Sequence, residues 1–464
     1  MNKEYFMGIY CPPSAPKGEY PSRITKEVYY LLHRLGIRQI YGYYDDEPGI
    51  EYLLKNLDYS AEFGITFYPR LQMFEKFLGE RGSDKYPLFF DMTEEERESI
   101  CKEFIESIDA IKDHPGFGGI CISDERPFEA YDGMGVAARL FAENYPDKEF
   151  RYNALNYFGD DKTLFYRDGD DAGREYQLTS DLEYGAKNRF SRYKVYIDGY
   201  LDKCNAKHLS TDLYPFAPVW EKIPTSIHRG LYETKSIFAS YKKERGVSCY
   251  VCVQVGDWDK SFRDIGRAET ALHMNVTAAY HLDGFIFFPG IYPNDWLGDP
   301  TFDGCENGKT ALIDVWGKPT EHYAYVARLI EHMQVCAPTL LSASWHGVCT
   351  VDTFEGGFGD VDFSEIDWSE CIYKGGMPEN EPHEYKGKLP EIEAASQLFI
   401  GVFENDTADI YLITNNSIVT DTTFEISNLG AWRLTMDGKT VEGSGTVKVA
   451  RLDAGESVML EVVK

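Results

Sequence analysis

Gly118-Gly119-Ile120-Cys121-Ile122-Ser123-Asp124-Glu125-Arg126-Pro127 is the stretch that decides the fold. It reads as a buried strand that runs straight into two adjacent carboxylates and then a proline. Side chains alternate along a strand, so Ile120 and Ile122 share a face with Asp124, while Cys121 and Ser123 share the other with Glu125. In a parallel barrel the apolar set faces the surrounding helices and the small set faces the axis. Glu125 then stands at the C-terminal mouth, where barrel folds carry their chemistry, and Asp124 falls on the outward parity. A helix cap or an ordinary salt bridge is the plain alternative for such a pair, and the rest of the chain has to decide.

Working outward, strand-like segments at residues 5–11, 37–44, 65–71, 117–125, 150–157, 207–214, 247–255 and 284–289 alternate with helical ones. Thr93 opens one of those helices with Glu94, Glu95 and Glu96 in its first turn, where carboxylates suit the helix dipole. Eight strand-helix repeats in about 335 residues match a (β/α)8 TIM barrel of the α/β class. No glycine-rich nucleotide fingerprint supports a doubly wound sheet instead. Beyond residue 338 the texture changes to short alternating segments separated by polar turns, the pattern of an antiparallel β-sandwich. The expected domains are therefore a barrel over 1–337 and a C-terminal β-sandwich over 338–464, with a long acidic connecting loop at about 355–390. A second long connection, 158–191, holds Asp160-Asp161 and Asp168-Gly169-Asp170-Asp171. It lacks the full order of a calcium loop and reads as a solvated acidic lid.

Composition narrows the function. The chain has 464 residues and a net charge of −29, which repels nucleic acid and anionic membrane. No apolar run approaches the roughly 20 residues that span a bilayer. The start, Met1-Asn2-Lys3-Glu4-Tyr5, lacks the basic and apolar segments of a secretory signal, so a cytoplasmic location is expected. Ten cysteines are scattered through apolar segments, which fits free thiols in a reducing compartment. Cys249-Tyr250-Val251-Cys252 spells C-x-x-C, but on a strand its two thiols point to opposite faces, so neither a metal nor another cofactor is expected.

Strand parity applied to each repeat gives a coherent inner set. It comprises Thr66, Tyr68 and Arg70; Arg151 and Asn153, with Asn156 beyond; His208, Ser210, Asp212 and Tyr214; Tyr250, Cys252 and Gln254. Asp257 and Trp258 follow the seventh strand, and Tyr292, Asp295 and Trp296 follow the eighth. Such a mouth is acidic, hydrogen-bonding and aromatic. Those properties suit a carbohydrate: carboxylates for acid/base work, amides and arginine for hydroxyls, flat rings for the sugar face. Arg70, Asn153, Asn156, Tyr214 and Gln254 are the expected hydroxyl partners, with Tyr68 and Asp257 beside them. Trp258, Tyr292 and Trp296 are the expected stacking rings. Arg70 also reads as a core ion-pair partner, and Gln254 as a satisfier of backbone groups.

Three motifs carry a family resemblance across nearly the whole chain. They are Asp124-Glu125-Arg126-Pro127, Thr211-Asp212-Leu213-Tyr214-Pro215-Phe216, and Ile313-Asp314-Val315-Trp316-Gly317-Lys318-Pro319-Thr320. The sequence resembles the clan-A-type (β/α)8 glycoside hydrolases, especially the family-42-like proteins of gut bacteria. That resemblance implies that Glu125 is a general acid/base. It also implies a nucleophilic glutamate at the end of strand seven, where this chain has Gln254 instead. Asp212, Asp257 or Asp124 is then left to supply the second carboxylate. The leading expectation is a bacterial glycosidase acting on a small oligosaccharide or glycoside, with Glu125 as acid/base and Asp212 as nucleophile or base. A non-catalytic sugar-binding barrel and a sugar lyase or isomerase are the alternatives. The β-sandwich is expected to pack on the barrel or to form a homo-oligomer contact.

Overall fold

The computed structural model describes residues 3–43, 49–79, 87–156, 189–216, 230–257, 264–293, 311–351 and 381–464. Eight parallel strands form one sheet: β1 (Phe6–Tyr10), β2 (Gln39–Tyr43), β3 (Thr66–Arg70), β4 (Gly119–Asp124), β5 (Glu149–Ala154), β6 (His208–Asp212), β7 (Ser248–Gln254) and β8 (Gly284–Phe288). Their order is β3-β2-β1-β8-β7-β6-β5-β4. Phe67 and the residues just before β4 close the ring, with Phe67 N–H donating to the Gly116 carbonyl (2.8 Å) and Gly118 N–H to the Phe67 carbonyl (3.1 Å). This is a (β/α)8 TIM barrel.

Alternation sorts the strand residues as it should. Ile9, Ile40, Phe67, Ile120, Ile122, Leu209, Val251 and Phe285 are fully buried and join the large core beneath the helices. Tyr10, Tyr41, Tyr68, Cys121, Tyr250, Cys252 and Ile286 form a separate cluster inside the barrel. At its centre lies Arg151. Its guanidinium is 5.0–5.9 Å from the ring centres of Phe6, Tyr41, Tyr68 and Tyr250, and it bonds Glu149 through Nε (3.0 Å) and Nη2 (2.6 Å). Aromatic faces and one carboxylate together compensate a buried cation.

The glycine pair at the start of β4 is a steric requirement. A Cβ on Gly118 would meet Thr66 Cγ2 at 2.0 Å, and one on Gly119 would meet the Glu149 carbonyl oxygen at 1.9 Å. Gly119 also has φ +148°, a backbone state that L side chains avoid. Both neighbours of β4 can approach only because the pair has no side chains.

A separate antiparallel domain of seven strands follows the helix Glu321–Leu340: β9 (Ser344–Val351), β10 (Glu391–Ala394), β11 (Leu398–Glu404), β12 (Ala408–Asn415), β13 (Thr422–Met436), β14 (Lys439–Leu452) and β15 (Ser457–Val463). Two segments that the sequence pattern separates, 422–426 and 432–436, are one long strand. Register shifts between Ile426 and Ala431 bend β13, so its first part pairs with β10 and its last part with β15. The bend folds the sheet over its own core of Leu398, Ile400, Ile413, Phe424, Val447 and Leu460. The other face, with Phe399, Ile410 and Leu412, joins the barrel core.

The helix Arg267–Ala279 sits between the two domains and is buried all round from Thr270 onward. A helix covered on both sides needs no polar face. Asn275 Nδ2 donates to the Gly455 carbonyl (2.7 Å), Ser457 donates to Asn275 Oδ1 (2.8 Å), and Trp345 Nε1 donates to the Ala279 carbonyl (2.9 Å). No helix of the described residues is long and apolar enough to cross a membrane.

Gly119→Ala should therefore cost about 2–4 kcal/mol, the sum of overpacking and backbone strain. Thermal or urea denaturation measures it, and a variant as stable as the wild type would contradict the close approach of β4 and β5.

Candidate functional site

The site is built at the C-terminal end of β4. Cys121 lies opposite Arg151 and Asp124 lies opposite Asn153, so three steps along β4 answer two along β5. This bulge reverses the parity expected for the strand end. Asp124, expected to point outward, turns into the mouth, where Asn153 Nδ2 donates to its Oδ1 (3.0 Å). Bulges beside functional sites commonly re-aim one side chain in this way. Ser123 takes the outward place; it is fully buried and accepts from Arg126 Nε (2.9 Å).

Glu125 follows with φ +50°. A non-glycine residue in the left-handed region costs on the order of 1–3 kcal/mol and persists only where its surroundings enforce it. The enforcement is visible. Glu125 N–H donates to the Asn153 carbonyl (2.9 Å), and Arg126 N–H donates to the Tyr152 hydroxyl (2.8 Å). The Tyr196 hydroxyl donates to the Arg126 carbonyl (2.7 Å). The twisted peptide thus holds the Glu125 side chain toward Asp212 at the end of β6.

The Glu125 and Asp212 carboxyl groups are in hydrogen-bonding contact. Asp212 is buried, at 8% exposure, and Glu125 is the exposed member, open to the mouth and enclosed on its other side. Burial first, then the charges of Glu125 and Asp124, raise the Asp212 carboxyl well above the usual range. Enclosure by the protein first, then the Asp124 charge, push Glu125 up to about 7, against the pull of Asp212 and Arg70. Burial also raises Asp124, opposed by Arg70, Asn153 and Tyr10. Three carboxyls around a single nearby arginine cannot all ionise, and the Glu125–Asp212 contact is made by a shared proton.

Around this cluster the structure brings together Arg70, Asn153 and Tyr214. Arg70 donates through Nε (3.2 Å) and Nη2 (2.7 Å) to Glu75 Oε1, the ion-pair role that the sequence left open. Tyr214 is half-buried with its ring 5.5 Å from Phe288, which in turn is 6.1 Å from Tyr10. These three rings make an aromatic wall beside the carboxyls. Asn156 and Asp257 are half-buried just past the ends of β5 and β7.

Other candidates lie elsewhere. Tyr68 points down the barrel, where its hydroxyl donates to Glu149 Oε2 (2.6 Å). Gln254 is fully buried, and its Nε2 donates to the Gly256 carbonyl (3.1 Å). Tyr292 is 2% exposed beneath Ala311 and Val315. Trp258, Asp295 and Trp296, the 158–191 connection apart from its last three residues, and most of the 355–390 loop lie outside the described residues. Tyr10, Phe288 and Glu75 were not singled out from sequence, and Arg126 was named only as part of the strand-four motif. Inward parity at the ends of β1 and β8 could have found the first two. Nothing in the sequence pattern marks Glu75.

No family model and no curated protein matches the chain. Among solved structures it is similar to a glycoside hydrolase family 5 protein from Bacteroides vulgatus, with 11% identity, 99% of this chain and 89% of that chain covered, and a TM-score of 0.49. It is also similar to a GH42 β-galactosidase from G. stearothermophilus (10% identity, 99% and 98% covered, TM-score 0.46) and a family 1 β-glucosidase from Thermotoga maritima (11% identity, 63% and 89% covered, TM-score 0.37). At these values the likenesses assign no residue and no substrate.

The shared proton has a stability signature. An aspartate ionises near pH 4 in an unfolded chain, but Asp212 ionises later in the folded one. The folded state therefore binds more protons in that window, and stability falls as pH rises through it. Asp212→Asn removes this cost. Its melting temperature relative to wild type should be unchanged near pH 4 and increasingly higher toward neutral pH; a pH-independent difference would contradict the raised carboxyl.

Proposed function

We propose that this protein is a glycosidase that hydrolyses a small oligosaccharide or glycoside with the Glu125–Asp212 carboxyl pair. The observation that carries the reading is the contact between these two groups at the mouth of a closed barrel, one exposed and one buried, a contact that two carboxyls make only with a proton between them. Glycoside cleavage needs one carboxyl group that gives a proton to the leaving oxygen and another that stays ionised. Glu125 faces the mouth and takes the first role. Its pKa near 7 keeps a useful protonated fraction at neutral pH while leaving the proton easy to transfer. In the resting contact the carboxyl raised furthest is Asp212; it takes the second role once the pair parts and the shared proton leaves with Glu125, and Asp124 helps to hold that proton on its neighbours.

A retaining pair works at roughly 5–5.5 Å and an inverting pair at about 6.5–9.5 Å, so two carboxyls in hydrogen-bonding contact leave no room for the sugar between them. A sugar entering the mouth has to part the two groups. Asp212 is walled in, so Glu125 is the member that moves. The separation then reached decides whether Asp212 attacks the anomeric carbon or activates water. Half-buried Tyr214 and Phe288 offer flat apolar faces to the sugar ring. Arg70, Asn156 and Asp257 stand where hydroxyls would come within reach.

A panel of aryl α- and β-glycosides assayed with wild type, Glu125→Gln and Asp212→Asn tests this reading. Each substitution should lower kcat/KM by about 10²–10⁴. Unchanged turnover in Glu125→Gln would sink the assignment. For wild type, kcat/KM should fall as pH rises through about 7, where Glu125 loses its proton.

A further inference from the structure

Glu75 accepts from two arginines at once, and those arginines bracket the acidic pair. Its Oε1 takes Arg70 Nε (3.2 Å) and Nη2 (2.7 Å) from the end of β3. Its Oε2 takes Arg126 Nη2, from the residue that follows Glu125. The group is largely shielded, with side-chain exposures of 20% for Glu75, 17% for Arg70 and 7% for Arg126, so screening by water is weak. Arg126 is fixed further by its Nε on Ser123 Oγ (2.9 Å).

Without Glu75, Arg70, whose charge already acts on Asp124 and Glu125, would do so with no competing anion, and Arg126 would lose its partner carboxylate. Cations stabilise ionised carboxylates. The proton would leave the cluster, and Arg126 would be free to turn toward the side chain of Glu125. With Glu75 present, the guanidinium charges are drawn to the flank of the mouth. Among the described residues, the other groups acting on the cluster carry no positive charge: Asp212 and Tyr214 from the end of β6, Cys252 from β7, Tyr10 from β1 and Tyr196 from the helix Arg189–Cys204.

We propose that Glu75 is a positioning residue that draws the charges of Arg70 and Arg126 to the flank of the Asp124–Glu125–Asp212 cluster and so tempers their pull on its carboxyls. The proposal deepens the hydrolase reading and rests on it only where turnover is measured. A clamp of this kind makes opposite predictions for its two ends. Loss of the anion releases positive charge toward the carboxyls, and loss of one arginine removes it.

The first experiment needs no substrate. Infrared titration follows the protonated-carboxyl band of the whole protein, assigned by its loss in Glu125→Gln. In Glu75→Gln the band should vanish about one pH unit lower than in wild type, and in Arg126→Gln it should vanish higher. The alkaline limb of kcat/KM on an aryl glycoside should move in the same two directions. A Glu75→Gln protein that melts as a folded protein but titrates like wild type overturns the clamp, as do shifts of the same sign in both variants. If Glu75→Gln does not fold, Arg126→Gln decides alone, and an unmoved band overturns the proposal. Bands that shift as expected in a protein that cleaves no glycoside would leave the clamp standing and remove the hydrolase reading.

Discussion

Three carboxyl groups meet where they cannot all be charged, and the architecture of the mouth follows from that constraint. Asp124, Glu125 and Asp212 converge from two strands that are separated by β5 in the sheet. Like charges at this range, partly stripped of water, repel by several kcal/mol unless protons or cations intervene. The chain supplies both. A proton joins Glu125 to Asp212, and Arg70 lies close enough to Asp124 to favour its ionised form. Each solution costs stability, which is the usual relation between a poised site and the scaffold that carries it.

The scaffold meets that cost with packing and with fixed backbone geometry. Glu125 would not keep a left-handed conformation alone. Asn153 serves twice, giving its backbone carbonyl to Glu125 N–H and its side-chain amide to Asp124. Tyr152 and Tyr196, with hydroxyls 2.8 Å apart, grip the Arg126 peptide from the side away from the mouth. These tyrosines belong to a buried aromatic group that also contains Tyr131 and Tyr200. Four of the 33 tyrosines have their place here: the Tyr152, Tyr196 and Tyr200 hydroxyls bind backbone, and the rings fill the space between β5 and its helices.

The barrel was legible because its signals are local and repeated. Apolar alternation, glycine at strand and helix ends, and the Thr93 cap with Glu96 bonding back to Thr93 N–H all act within a few residues. Parity placed Asn153, Ser210, Asp212 and Tyr250 toward the axis, as observed. It failed at Asp124, because a bulge is one residue out of step and leaves no mark in a pattern of period two. It also failed to join the halves of β13, where the register shifts break the alternation that would have linked them. Glu75 was illegible for another reason. Its role depends on two arginines distant from each other in sequence, and only the closed ring brings them to one carboxylate.

The cation inside the barrel has a consequence for traffic. Arg151, packed among Phe6, Tyr41, Tyr68 and Tyr250 and tied to Glu149, stoppers the axis below the carboxyl cluster. The axis of the barrel is closed to passage. A molecule that enters from the mouth cannot pass on through the barrel, so arrival and departure share the side on which the carboxyls stand.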